Sequence, residues 1–331
     1  MRHTSATAAL LAPAVIGALG LTPAPASAAS PASPTARAAW IKSCYDKKHQ
    51  EYDPCGHWRL RMRDGREVTV RGAATRGVDG RGRERHGEDG TFAVSADGRV
   101  LAYERAGDHR LVVRRVTGGP VTELPRSAMP KGIGSEEMNL RLSPSGDRVL
   151  IDYLNDPGEL PTKVITVATG KTMTLPAAYD VRGFSADGDE VLATRGKSDN
   201  TTALYVLRVG GGSIHRTPPA IVANALTYAL AADGTTVAFV TGGTNKPRAR
   251  TYDLTTGEVS ASVDLPLKPD LPPELAWWSG EGRLTAVART GQGGEAAVVR
   301  VLTVDFTAGQ VTKADTYSIS SKNHTFNLAG E

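Results

Sequence analysis

Cysteine is nearly missing from this chain: 331 residues hold two, Cys44 and Cys55. Their spacing is far from a C-x-x-C redox pair, and a metal centre wants more ligands than two thiols supply, so a cystine is the expected state. Strong charge of one sign is missing too. Lys and Arg number 39 against 35 Asp and Glu, a net +4 that gives no general argument for nucleic acid. No apolar run is long enough to cross a bilayer, which takes about 20 residues. Helical periodicity is nowhere sustained. The G-x-S-x-G nucleophile turn, the H-E-x-x-H zinc motif, the P-loop and the dinucleotide fingerprint are all absent, and the nearest runs, GIGSEE and GGGSIH, do not fit. The seven histidines, His3, His49, His57, His86, His109, His215 and His324, are scattered singly and are expected to be solvated or structural.

The N-terminus has a basic start at Arg2, an apolar run over residues 8–21 broken by Pro13, Gly17 and Gly20, and small residues Ala26, Ser27 and Ala28. This predicts a signal peptide over residues 1–28 rather than a membrane anchor, and hence a secreted, extracellular protein with no membrane span after cleavage. An oxidising compartment fits a Cys44 to Cys55 disulfide in the following segment, residues 29–57. Residues 58–85 carry nine Arg against Asp64, Glu67, Asp79 and Glu84. The Gly-rich RGVDGRGRERHGEDG in this stretch reads as a solvated loop rather than a polyanion site.

What the chain has in quantity is one recurring pattern. FAVSADGRVLAY, from Phe92, returns as LRLSPSGDRVLI, RGFSADGDEVLA, TYALAADGTTVAF and LAWWSGEGRLTAV. The shared glycines are Gly98, Gly146, Gly188, Gly234 and Gly282, so successive spacings are 48, 42, 46 and 48 residues. That period suits a four-stranded propeller blade and exceeds the common helical repeats. Asp-Gly supplies the positive φ of a tight hairpin, and a preceding Ser can accept backbone N–H groups across it. Each unit continues into a second pair of β-branched runs around a glycine turn. A lone blade cannot bury both faces, so the blades must stack in a ring.

The expected fold is therefore an all-β propeller of four-stranded antiparallel blades over residues 58–331, with six blades and five or seven as alternatives. The sixth blade needs both ends of the chain. HWRLRMRDGREVTVRG is one hairpin, NHTFNLAGE looks like a repeat without its turn, and RAAWIKS, residues 37–43, is a candidate for the remaining strand.

The Ser-x-Asp-Gly pattern followed by apolar residues, in SADGRVLAY, SPSGDRVLI and SADGDEVLA, resembles the repeat of TolB-like and prolyl-oligopeptidase-type propellers, the WD40-like or PD40 repeat. The resemblance implies a six- or seven-bladed ring used to dock proteins, peptides or small ligands, and implies no single activity. Two departures matter: Ala231 stands where Ser is usual, and Glu281 where Asp is usual. The hydrolase domain of the propeller peptidases and the N-terminal domain of full TolB proteins have no counterpart. Sialidase Asp boxes are excluded, because Gly follows Asp directly and no Trp ends the motif. Trp277 and Trp278 are adjacent in a strand, so at most one can face a channel.

The first strand of each blade lines a propeller's channel, and residues at or before it ring one mouth. Those positions include Glu137, Asn139, Asp180, Arg182, Asn224, Glu274, Asn323 and His324, which are the candidate ligand-binding residues. The leading expectation is a monomeric, non-catalytic scaffold for a protein, peptide or cell-envelope ligand, without a cofactor and without catalytic residues. The alternative is a lactonase-like hydrolase that uses a channel Ca²⁺ held by Glu137, Asn139, Asp180 and Asn224.

Overall fold

The structure is a computed structural model, and it describes residues 33–154, 160–242 and 245–331. The expected signal peptide lies outside the described residues. Six four-stranded antiparallel sheets follow one another along the chain as the blades of a propeller ring, with one additional two-stranded hairpin. Blades 2 to 6 have their first strands at Phe92–Val94, Met138–Leu142, Asp180–Phe184, Thr227–Leu230 and Leu275–Gly280. In each, strand order follows the chain.

Blade 1 is built from both ends of the chain. Its strands, in order from the channel outward, are Asn323–Leu328, Ala36–Asp46, Glu51–Met62 and Glu67–Val70. The tail strand and residues 37–43 thus take the places expected of them. The sheet starts at Ala36, so the segment before Trp58 supplies two blade strands rather than preceding the propeller. Past the last strand, the Gly330 N–H donates to the Val94 carbonyl of blade 2 at 2.9 Å, which ties down the seam.

Packing closes the ring. Six buried apolar clusters lie one at each junction between neighbouring blades. Trp58, Phe92 and Tyr103 stack in series between blades 1 and 2, with centroids 4.6 and 5.6 Å apart. Ala38, Trp40, Phe326 and Leu328 of blade 1 meet Val287, Val299 and Tyr317 of blade 6. Every cluster draws on two sheets, so no blade buries its faces alone.

The repeated turn has a physical reason for its composition. In blade 2 the Ser95 hydroxyl accepts the Val100 N–H at 2.9 Å and donates to Asp97 at 2.5 Å. Ser143 and Ser185 do the same for Arg148 and Glu190, and all three serines are fully buried. Gly98 has φ +73°, and a Cβ there would lie 2.2 Å from the Ala36 carbonyl of blade 1. Gly146, at φ +77°, stands equally close to Val100 of blade 2. Glycine therefore serves the hairpin and the contact with the preceding blade together. Where Ser is missing, Asp233 accepts the N–H groups of Thr235 and Thr236 itself, each at 2.8 Å.

The Arg-rich stretch is largely solvated, as expected, but it is a hairpin rather than a loop. It forms the hairpin Arg76–Val78 and Glu84–Asp89, which leans on the far part of the Ala36–Asp46/Glu51–Met62 hairpin. Arg76 Nε donates to Asp53 at 2.8 Å, and the Gly87 N–H donates to the same carboxylate at 2.9 Å. Arg85 pairs with Glu136 at 3.0 Å, and Arg83 with Asp79 at 2.7 Å. Arg76, Arg83 and Arg85 are thus answered by acids, and two of those acids, Asp53 and Glu136, lie far along the chain. The Cys44–Cys55 disulfide is present and staples the same extension of the long hairpin. Among the described residues no helix is long and apolar enough to cross a membrane.

Candidate functional site

The channel holds a cavity of about 330 Å³. Alternation along a strand aims every second side chain inward, so Asp180 and Arg182 of blade 4 both line it, as does Glu274 beside blade 6. Three of the expected site residues therefore come together. With them stand Arg141 of blade 3 and Glu331, which the sequence reading did not single out.

These charges are paired. Asp180 lies 2.6 Å from Arg182. Arg289, from the second strand of blade 6, reaches Glu274 at 2.6 Å and Glu331 at 3.5 Å, and its guanidinium sits 5.0 Å from the Phe326 ring centre. Arg141 donates to the Val181 carbonyl at 3.2 Å. Burial pushes the Glu331 carboxyl above its usual range and Glu274 adds to the rise, while the Leu328 N–H, Arg289 and Arg141 oppose it. Arg182 also lies 5.7 Å from the Tyr228 ring centre, and the Tyr228 hydroxyl donates to the Val222 carbonyl at 2.6 Å. The lining offers paired charges together with the Thr227 and Tyr228 hydroxyls.

The other expected residues are placed differently. Asn139 lines a separate cavity of about 380 Å³, shared with Asp89, Glu136 and Thr325. Glu137 turns back to accept the Gly134 N–H at 3.0 Å and so caps a short helical turn. Asn224 follows the four-residue helix Ala220–Ala223 as its C-terminal cap. Asn323 is buried and accepts the Gly294 N–H at 3.1 Å, holding a loop of blade 6. His324 Nε2 lies 3.0 Å from the Gly87 carbonyl, joining the tail strand to the additional hairpin. The four residues named for calcium are thus distributed over a cap, a helix end and two cavities.

A second concavity, of about 1020 Å³, opens at the end of the channel where the Asp-Gly turns lie. Ala96, Pro144, Ala186 and Ala231 from successive turns wall it, and Trp277 lines both this funnel and the channel cavity. Asp97, Asp187, Asp233 and Glu281 stand around it. Trp278 borders the funnel as well, but its ring is buried between blades 5 and 6 and donates its indole N–H to the Ala229 carbonyl at 3.0 Å. One tryptophan faces the channel and the other packs, as strand alternation requires. The turn residues were visible in the sequence as hairpin formers. Their convergence on a funnel follows from the ring, which brings each turn to the same end.

Fold and site together define a six-bladed β-propeller with an open channel mouth. No family model matches the chain, and no curated protein matches it. Similar solved structures include TolB from Acinetobacter baumannii, 14% identical with a TM-score of 0.48, covering 89% of this chain and 67% of that one. A nidogen/laminin complex is 11% identical with a TM-score of 0.47, covering 90% and 98%. Virginiamycin B lyase from Staphylococcus aureus is 12% identical with a TM-score of 0.42, covering 87% and 89%. These likenesses concern the fold.

Proposed function

We propose that the protein is a secreted, non-catalytic scaffold that takes a peptide segment of a protein or cell-envelope partner into the funnel at the turn end of the channel. The observation that carries this reading is the funnel itself, lined by Trp277, alanines and a proline, with four carboxylates against the single cation Arg63. An apolar concavity with few polar groups is where a ligand loses most surface to water. Rim carboxylates favour a segment carrying Lys or Arg, chiefly by steering its approach. The internal disulfide is compatible with an oxidising location.

The test is retention of partners from cell-envelope extracts on the immobilised full chain, with Trp277→Ala and the double change Asp187→Lys, Glu281→Lys run in parallel. Trp277→Ala should reduce retention of a specific partner on the order of 10-fold or more. The charge reversal should slow its association and blunt the salt dependence. Retention of nothing by the native chain, or retention indifferent to both variants, would overturn the reading.

A further inference from the structure

Two histidines that are isolated in the sequence meet in the structure. His49 sits in the turn of the long disulfide-stapled hairpin, and His86 in the strand Glu84–Asp89 of the hairpin that leans on it. Their ring centres are 3.9 Å apart. Asp46 ends the strand before the turn, and its Oδ2 lies 2.8 Å from His49 Nδ1. One ligating atom each from Asp46, His49 and His86 falls within 4.8 Å of the others. Among the described residues these three are the one such group of histidine, cysteine and carboxylate donors.

The surroundings add an argument of their own. Asp46 is paired in register directly across the hairpin from Glu51, and opposed like charges destabilise a two-stranded ladder. Glu51 Oε1 lies 4.0 Å from His86 Nδ1, and Asp53 Oδ2 lies 3.7 Å from it. Arg76, the nearby guanidinium, is already committed to Asp53 and Glu84. Lys47 and Lys48 stand in the turn, and neither forms an ion pair among the described residues; the Lys48 contact with Asp46 is made by its backbone N–H at 2.8 Å. Two imidazoles and the carboxylates of Asp46 and Glu51 thus stand together, while Arg76 answers Asp53.

We propose that Asp46, His49 and His86 form a binding site for a first-row divalent transition metal of the Zn²⁺ class, with Glu51 or water as the fourth ligand. Two imidazoles and a carboxylate are a donor set suited to zinc, nickel or copper, and a poor one for calcium or magnesium, which take oxygen. The metal would bridge the two hairpins and place a cation between Asp46 and Glu51. The cystine between Cys44 and Cys55 fixes one side of the site.

The experiment uses the full chain purified without a histidine tag, titrated with Zn²⁺ and with Mg²⁺ as control, read by calorimetry and by thermal melting. One Zn²⁺ per chain and a rise in Tm are expected, with Mg²⁺ silent. His49→Ala and His86→Ala should each weaken binding by at least about 10-fold, since loss of even an outer partner of a ligand costs that much. Neither side chain is buried, at 33% and 43% exposed, so the apo variants should melt close to the native chain. His215→Ala, in blade 4, should bind as the native chain does. No heat and no Tm shift with excess Zn²⁺ would overturn the proposal, and so would binding of equal strength in the His49→Ala and His86→Ala variants.

Discussion

Trp40 and Phe326 stand directly opposite each other across the two innermost strands of blade 1. Both are buried, and both belong to the cluster shared with blade 6. One comes from the first strand of the chain and the other from the last, so this pair joins the ends of the propeller. Phe326→Ala should lower stability by about 3 kcal/mol or more, the usual range for truncating a buried phenylalanine. Removing residues 321–331 should have a larger effect, exposing an unpaired edge and promoting aggregation. Urea unfolding checks both, and a truncated chain that unfolds at the native midpoint would show that the seam contributes nothing.

The repeated turn distributes its hydrogen bonds unequally between Ser and Asp, which separates two substitutions that look alike in sequence. In blade 4 the buried Ser185 hydroxyl holds the Glu190 N–H, and Asp187 is accessory. In blade 5 Asp233 has both tasks. Asp233→Ala should therefore cost about 1–2 kcal/mol, and Asp187→Ala clearly less. Chemical denaturation of the two variants side by side decides this, and equal losses would refute the division of labour.

Acidity supplies a third test. Burial raises the Asp89 carboxyl from 3.8 to about 6, against the opposing pull of His324. The folded state binds this proton more tightly than the unfolded chain does. The contribution is fully present below the unfolded value and is lost as pH rises through about 6. Its ceiling is about 3 kcal/mol, reduced by whatever solvent reaches the group. Asp89→Asn should match the native chain near pH 4 and be the more stable of the two near pH 7. Melting curves across that interval check the sign; a variant less stable than the native chain at pH 7 would contradict it.

Calcium should leave the melting temperature unchanged. Asp180 is already paired with Arg182, and Glu137 is engaged by the Gly134 N–H. A rise in Tm with millimolar calcium that disappears in Asp180→Ala would reinstate a metal in the channel.

The blade pattern was readable because its determinants are local. A positive φ at Gly98 or Gly146 and a serine two residues before an aspartate are requirements met within a few positions, so they survive as motifs. The tail strand was readable for the same reason, as HTFNL carries the apolar alternation of a first strand without the turn. Side-chain direction near the channel was harder. Glu137 and Asn139 flank the same strand start, yet one caps a helical turn and the other faces a cavity. Asn224 was displaced by a four-residue helix with no sequence periodicity to announce it. The arginines of the additional hairpin and the meeting of His49 with His86 depend on where two hairpins lean. Nothing in either hairpin alone encodes that contact.

The shared blade also sets a timetable. Blades 2 to 6 are each complete once their own stretch of chain has emerged, whereas the Ala36–Asp46 strand has no inner neighbour until residues 323–328 have been made. The hairpin that carries the cystine can form early, because its contacts are short in sequence. The pairing that shuts the circle spans nearly the whole chain and carries the greatest loop-closure cost, which places it late. A nascent chain therefore passes through an arc of five finished blades with one half-built blade waiting at its open end, and the interval before closure is when that edge is most vulnerable to foreign strands.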